Sequence, residues 1–147
     1  MDNCTLTGNI VSGSPKPDYK PDPSRSGGAI YIGANGSGEL YLTNCTLSGN
    51  TNVTTGIDNA AKISTLYNST NRLFCLNNVF VDSAATPFYG LTTPSARGDA
   101  DKNFFFPSNA QAGLNDLADN GGSVETMALT PDSPLIDAGR KNEAPPL

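Results

Sequence analysis

"NCTLTGN" at residues 3–9 returns as "NCTLSGN" at residues 44–50, with one letter of the seven changed. A repeat at an interval of this kind is the signature of stacked units, each burying an apolar side against the next. The likeness reaches further along the chain. Residues 39–50 read ELYLTNCTLSGN and residues 73–83 read LFCLNNVFVDS. An offset of 41 pairs Asn3 with Asn44, Cys4 with Cys45, Leu6 with Leu47 and Gly8 with Gly49. An offset of 34 pairs Leu40 with Phe74, Leu42 with Leu76, Asn44 with Asn78, Cys45 with Val79 and Leu47 with Val81.

Each copy alternates in polarity with period two, which is the pattern of a half-buried strand. Leu40 and Leu42 face one way, and Glu39, Tyr41 and Thr43 face the other. After Asn44 the parity switches, so that Cys45 and Leu47 become the inward pair. Such a switch marks a corner. A third short strand, GGAIYI at 27–32, puts Ile30 and Ile32 inward, and its expected counterpart is AAKISTL at 60–66, with Ile63 inward. Three strands per copy, with no helix-length amphipathic run between them, predict an all-β chain coiled as a triangular solenoid. Stacked Leu, Ile, Val and Cys fill its interior, and asparagines share amide hydrogen bonds at its corners. On this register Phe80 and Cys75 face outward.

Composition narrows the function classes. Hydrophobic residues make up 37% of the 147-residue chain and charged residues only 16%, so the chain is polar largely through Asn, Ser, Thr and Gly. The net charge of −5 argues against nucleic acid and against an anionic membrane surface. No run of ~18 apolar residues offers a membrane span. The opening residues MDNCTLTGN have neither the basic nor the apolar stretch of a signal peptide. Histidine is absent, which removes Ser–His and Cys–His chemistry and imidazole metal ligation. Three cysteines make no disulfide framework. Cys4 and Cys45 read as small apolar filler in the inward stack.

"GGAI" at 27–30 together with the two heptapeptides resembles the right-handed parallel β-helix repeats of bacterial surface proteins, including polymorphic outer-membrane adhesins. The tail LADNGGSVETMALTPDSPLIDAG at 117–139 is similar to the end of the choice-of-anchor Q domain. That match rests on Asp119, Asn120, Gly121 and Gly122, then on Ser133, Pro134, Ile136, Asp137, Ala138 and Gly139. The resemblance implies a right-handed parallel β-helix of roughly two to three turns with an irregular C-terminal capping segment. Residues 1–83 would form the turns, with a proline-rich loop at 14–26. Residues 84–118 would connect and cap, and residues 119–147 would form the choice-of-anchor Q-like segment. It further implies a fragment of an extracellular or cell-surface protein, structural or adhesive, with further β-helix turns, carbohydrate or a host surface protein as partners. The alternative is a piece of a polysaccharide lyase or glycoside hydrolase whose catalytic turns are missing.

Few residues are candidates for chemistry. Glycoside hydrolysis needs paired carboxylates and lyase chemistry a base, and the outward faces carry one carboxylate each, Glu39 and Asp82. No catalytic residue and no resident cofactor is therefore expected. Asp99, Asp101 and Asn103 alternate in GDADKNFF at 98–105, like the start of a calcium loop. Phe104 stands where the loop needs glycine and no glutamate closes it, so a solvated turn is the reading and calcium the alternative. Tyr31 and Tyr41, on outward parity, are candidates to stack on sugar rings, weighed against ordinary strand tyrosines. Phe104–Phe106 is expected to be a strand or plug that covers an open end, DNGG to make a tight turn, and Leu135 and Ile136 to fold over the core. The first turn has no such cover, so end-to-end association through it is expected.

Overall fold

The structure, a computed structural model, describes residues 1–12, 28–32, 39–52, 66–68, 73–81, 88–89, 95–96 and 103–140. The main sheet has four parallel strands, β1 (Thr5–Thr7), β5 (Thr46–Ser48), β9 (Val79–Val81) and β12 (Phe104–Phe106), in that spatial order. A two-stranded parallel sheet joins β2 (Ile10–Val11) to β6 (Thr51–Asn52). A third parallel sheet holds β3 (Ile30–Ile32), β7 (Leu66–Asn68) and β10 (Phe88–Tyr89). A fourth holds β4 (Leu40–Thr43), β8 (Leu73–Leu76) and β11 (Ser95–Ala96). After β12 come one short helix, α1 (Asn109–Ala112), and an antiparallel pair, β13 (Leu114–Ala118) with β14 (Thr126–Leu129).

The expected right-handed parallel β-helix is corrected by this arrangement. Among the described residues the strands form five separate small sheets, one of them antiparallel, and no closed solenoid runs through them. The C-terminal third departs from parallel stacking because its chain reverses. Asp119 Oδ1 accepts the Gly121 N–H at 2.9 Å, and Gly121 takes φ +88°, so β14 returns beside β13. Gly121 supplies the positive φ expected within DNGG, but the connection is a bend over residues 119–125 rather than a tight turn.

The pairing of the heptapeptides holds. Thr5, Leu6 and Thr7 lie opposite Thr46, Leu47 and Ser48. The next pairing is shifted by one residue from expectation. Thr46, Leu47 and Ser48 lie opposite Val79, Phe80 and Val81, and Leu42 lies opposite Cys75. The offset is therefore 33, and Phe80 rather than Val81 follows Leu47. Backbone conformation agrees: Asn3, Asn44 and Asn77 all take φ of 53–54°. Asparagine is one of the few side chains that tolerates this left-handed region, and it turns the same corner in each copy. Ile30 pairs with Leu66, so β7 is the partner of β3, while Ile63 lies outside the described residues.

Two clusters form the core. Leu42, Cys45, Leu47, Cys75 and Phe80 are the buried centre of the first, with Cys4, Leu6, Ala29, Ile30 and Leu40 packed around them. Phe80 and Cys75, expected outward, thus point inward. The second cluster lies on the opposite side of β9. Val81, Ala112 and Leu114 are buried there, against Val79, Phe106, Met127 and Leu135. β9, one of the two inner strands of that sheet, is covered on both faces, which is why VFV reads as an unbroken apolar run. Phe104–Phe106 extends the sheet as a strand, with Phe105 stacked on Phe80 at a centroid distance of 5.4 Å and left half-exposed. Of the two residues expected to fold over the core, Leu135 does and Ile136 stays exposed.

Candidate functional site: the asparagine ladder and the aromatic pair

Three asparagines make the same set of contacts between neighbouring strands. Asn78 is fully buried; its Oδ1 accepts the Cys45 N–H at 2.9 Å and its Nδ2 donates to Leu42 O at 2.9 Å. Asn103 repeats this one strand further on. Its Oδ1 accepts from Asn78 N at 3.1 Å and Asn78 Nδ2 at 2.9 Å, and its Nδ2 donates to Cys75 O at 3.1 Å. Asn50 does the same towards β1. Its Oδ1 accepts from Asn9 N at 3.1 Å and Asn9 Nδ2 at 2.8 Å, and its Nδ2 donates to Leu6 O at 2.9 Å. A primary amide is suited to this rung, because it carries an acceptor and two donors in one plane. Each rung satisfies main-chain groups at a corner, where the sheet ladder is interrupted.

The ladder absorbs one calcium candidate. Asn103 Oδ1 already accepts two hydrogen bonds from Asn78, so both its lone pairs are committed. Asp99 and Asp101 lie outside the described residues, as do Asp82 and the loop at 14–26. Among the described residues no group of three or more His, Cys, Asp or Glu is placed to hold a metal ion.

Tyr41 stacks on Phe74, its neighbour on β8, with centroids 4.7 Å apart and planes 13° from parallel. Its hydroxyl donates to Glu39 Oε2 at 2.6 Å. The pair forms a cross-strand aromatic contact of the kind that stabilises sheets, and Phe74 covers one face of the Tyr41 ring. Tyr31 lies on β3 opposite Tyr67, and its side chain falls outside the described part. The sequence reading did not single out Phe74 as a partner of Tyr41, because the offset of 34 placed Phe74 beside Leu40.

All three cysteines belong to the first core cluster and are free thiols. Burial pushes the Cys75 thiol up to about 12, helped by the charge that a Cys45 thiolate would carry. Burial also raises Cys45, against partial relief from the Cys4 backbone. Protonated, buried thiols of this kind are inert filler.

The chain matches no protein-family model, no curated protein and no solved structure. Among the described residues no helix is long and apolar enough to cross a membrane.

Proposed function

We propose that the chain is a non-catalytic structural or adhesive domain of a bacterial extracellular or cell-surface protein, with carbohydrate or a host surface protein as its partner class. The observation that carries this reading is how the polar side chains are used. Every buried side-chain nitrogen or oxygen among the described residues has a hydrogen-bond partner, and the asparagines spend theirs on the backbone of neighbouring strands. Buried polarity serves stacking here. The described carboxylates, such as Glu39, Asp116 and Asp132, are exposed and dispersed. The GGAI stretch and the 117–139 tail support the surface location through their resemblance to adhesin repeats and the choice-of-anchor Q end.

The test pairs a binding assay with an activity assay on the same protein. Retention on insoluble glycans or on host-cell glycoprotein, with no release of reducing or unsaturated sugar from pectin, alginate or xylan, is the expected result. Sugar release that disappears on Glu39→Gln or Asp82→Ala would establish the enzymatic reading instead.

A further inference from the structure

Asn9 is a rung with only one side filled. On its inner side it matches Asn78, donating its main-chain N–H and its Nδ2 to the Oδ1 of the next asparagine. On the other side the two differ. Asn78 Oδ1 accepts the Cys45 N–H and its Nδ2 reaches Leu42 O. Asn9 Oδ1 accepts no hydrogen bond from any described residue, and its remaining amide hydrogen reaches only Thr7 O, at 3.5 Å. Among the described residues the strand beside it is equally open. β1 is the edge of the main sheet. Cys4 O and the Gly8 N–H bond to β5, so the alternation of a parallel ladder turns the N–H and C=O groups of Thr5 and Thr7 to the free side. Leu6 is only half-buried, whereas Leu47, one strand inward, is completely buried.

We infer that the free edge of β1 is a docking site for an extended polypeptide segment that runs parallel to it and carries the repeat's own pattern, an apolar residue followed three positions later by asparagine. Such a segment continues the observed rung. Its asparagine N–H and Nδ2 donate to Asn9 Oδ1, its apolar residue accepts from Asn9 Nδ2 through the main-chain oxygen, and that residue's side chain covers Leu6. Main-chain pairing of this kind supplies affinity, and the alternate side chains supply selectivity. The pattern disfavours a second copy stacked head to tail. Following the pairings 9–50, then offsets of 33 and 25, the far edge strand would bring Ser108 opposite Asn9. Ser108 Oγ already caps α1 by accepting the Gln111 N–H.

The probe is a fluorescent peptide of residues 42–52 with serine replacing Cys45, added to the full 147-residue chain. Saturable binding is expected, together with slowed amide exchange at Thr5 and Thr7. A peptide with Asn50→Pro, which loses the N–H aimed at Asn9 Oδ1, should bind at least about tenfold more weakly. Asn9→Ala in the protein should weaken the parent peptide at least as much, and should weaken the Asn50→Pro peptide less, because that peptide has already lost the bonds to Asn9 Oδ1 and loses only the one from Asn9 Nδ2. The peptide variant leaves the folded protein untouched, so a folding defect cannot produce its result. Equal binding of the two peptides, or no binding at millimolar peptide, overturns the inference. Sedimentation showing concentration-dependent self-association that excludes the peptide also overturns it, because a second copy would then hold the edge.

Discussion

At Asn78 a completely buried primary amide serves two strands at once, holding Cys45 N and Leu42 O on one side and Asn103 on the other. Removing it strands at least two buried main-chain groups, each costing about 1–3 kcal/mol. Asn78→Ala is therefore expected to lower stability by about 3 kcal/mol or more, read as a fall in the urea midpoint at unchanged slope. A loss below about 1 kcal/mol would mean that water replaces the amide. The corner asparagines differ in kind. Asn44 is needed for its left-handed backbone, φ 53°, more than for its side chain. Asn44→Gly should be close to neutral, and Asn44→Ala should cost about 1 kcal/mol, because a Cβ is strained there. Equal stabilities for the two variants in thermal melts would remove that explanation.

The short helix and the hairpin form the element that covers β9 and β12. α1 begins at Ser108, whose side chain accepts the Gln111 N–H, and ends at Gly113 with φ 63°. Its first residue ties it to the sheet, since Ser48 Oγ donates to Asn109 Oδ1 at 2.6 Å. Ser133 locks the tail onto the helix end by donating to Ala112 O at 2.8 Å. A Cβ at Gly113 would sit 2.6 Å from Ser133 Cα, closer than real contacts allow, on top of the positive φ. Gly113→Ala should cost about 2 kcal/mol or more and unseat the tail. Amide exchange should then rise at Ser133 and Leu135 while Leu42 and Leu47 remain protected. Uniform loss of protection would instead show that the cap and the first core cluster open as one unit.

Across the whole molecule the three thiols report on how the first core cluster opens. Cys4 is half-buried, while Cys45 and Cys75 are each 1% exposed. A small thiol reagent should modify Cys4 in the native protein and reach the other two only on opening of the core, and equal rates at all three would contradict the burial. The same cluster sets an alkaline limit. The Cys75 thiol is raised from 9.0 to about 12 in the folded state, so above pH ~9 the unfolded chain binds fewer protons than the native one. The stability present below pH ~9 should fall as pH rises towards 12, by up to about 1.4 kcal/mol per pH unit from this group. Cys75→Ala should flatten that part of the pH profile, and an unchanged slope would assign the alkaline loss to other groups.

The sequence by itself determined the strands of the repeated segments, their asparagine corners and one register. Asn3 and Asn44, followed by identical Cys–Thr–Leu triplets, could be aligned without structure because one face of those strands is polar and the other apolar. A slip by one residue would have exposed Leu6 and Leu47. That protection fails at VFV. Val79 and Val81 are covered by the C-terminal cap and Phe80 by the first cluster, so all three are apolar and alternation no longer distinguishes offset 34 from 33. The wrong offset carried Cys75 and Phe80 outward and set Phe74 beside Leu40 instead of Tyr41. Local pattern also gave no sign that Asn103 belongs to the ladder, because its partners Asn78 and Cys75 are distant in sequence. The antiparallel hairpin and the separation into five sheets were decided only in three dimensions, by the chain reversal at Gly121 and by packing of the helix and tail on the far face of β9. Period-two alternation records which side of a strand meets water, and where both sides are buried only the tertiary packing sets the register.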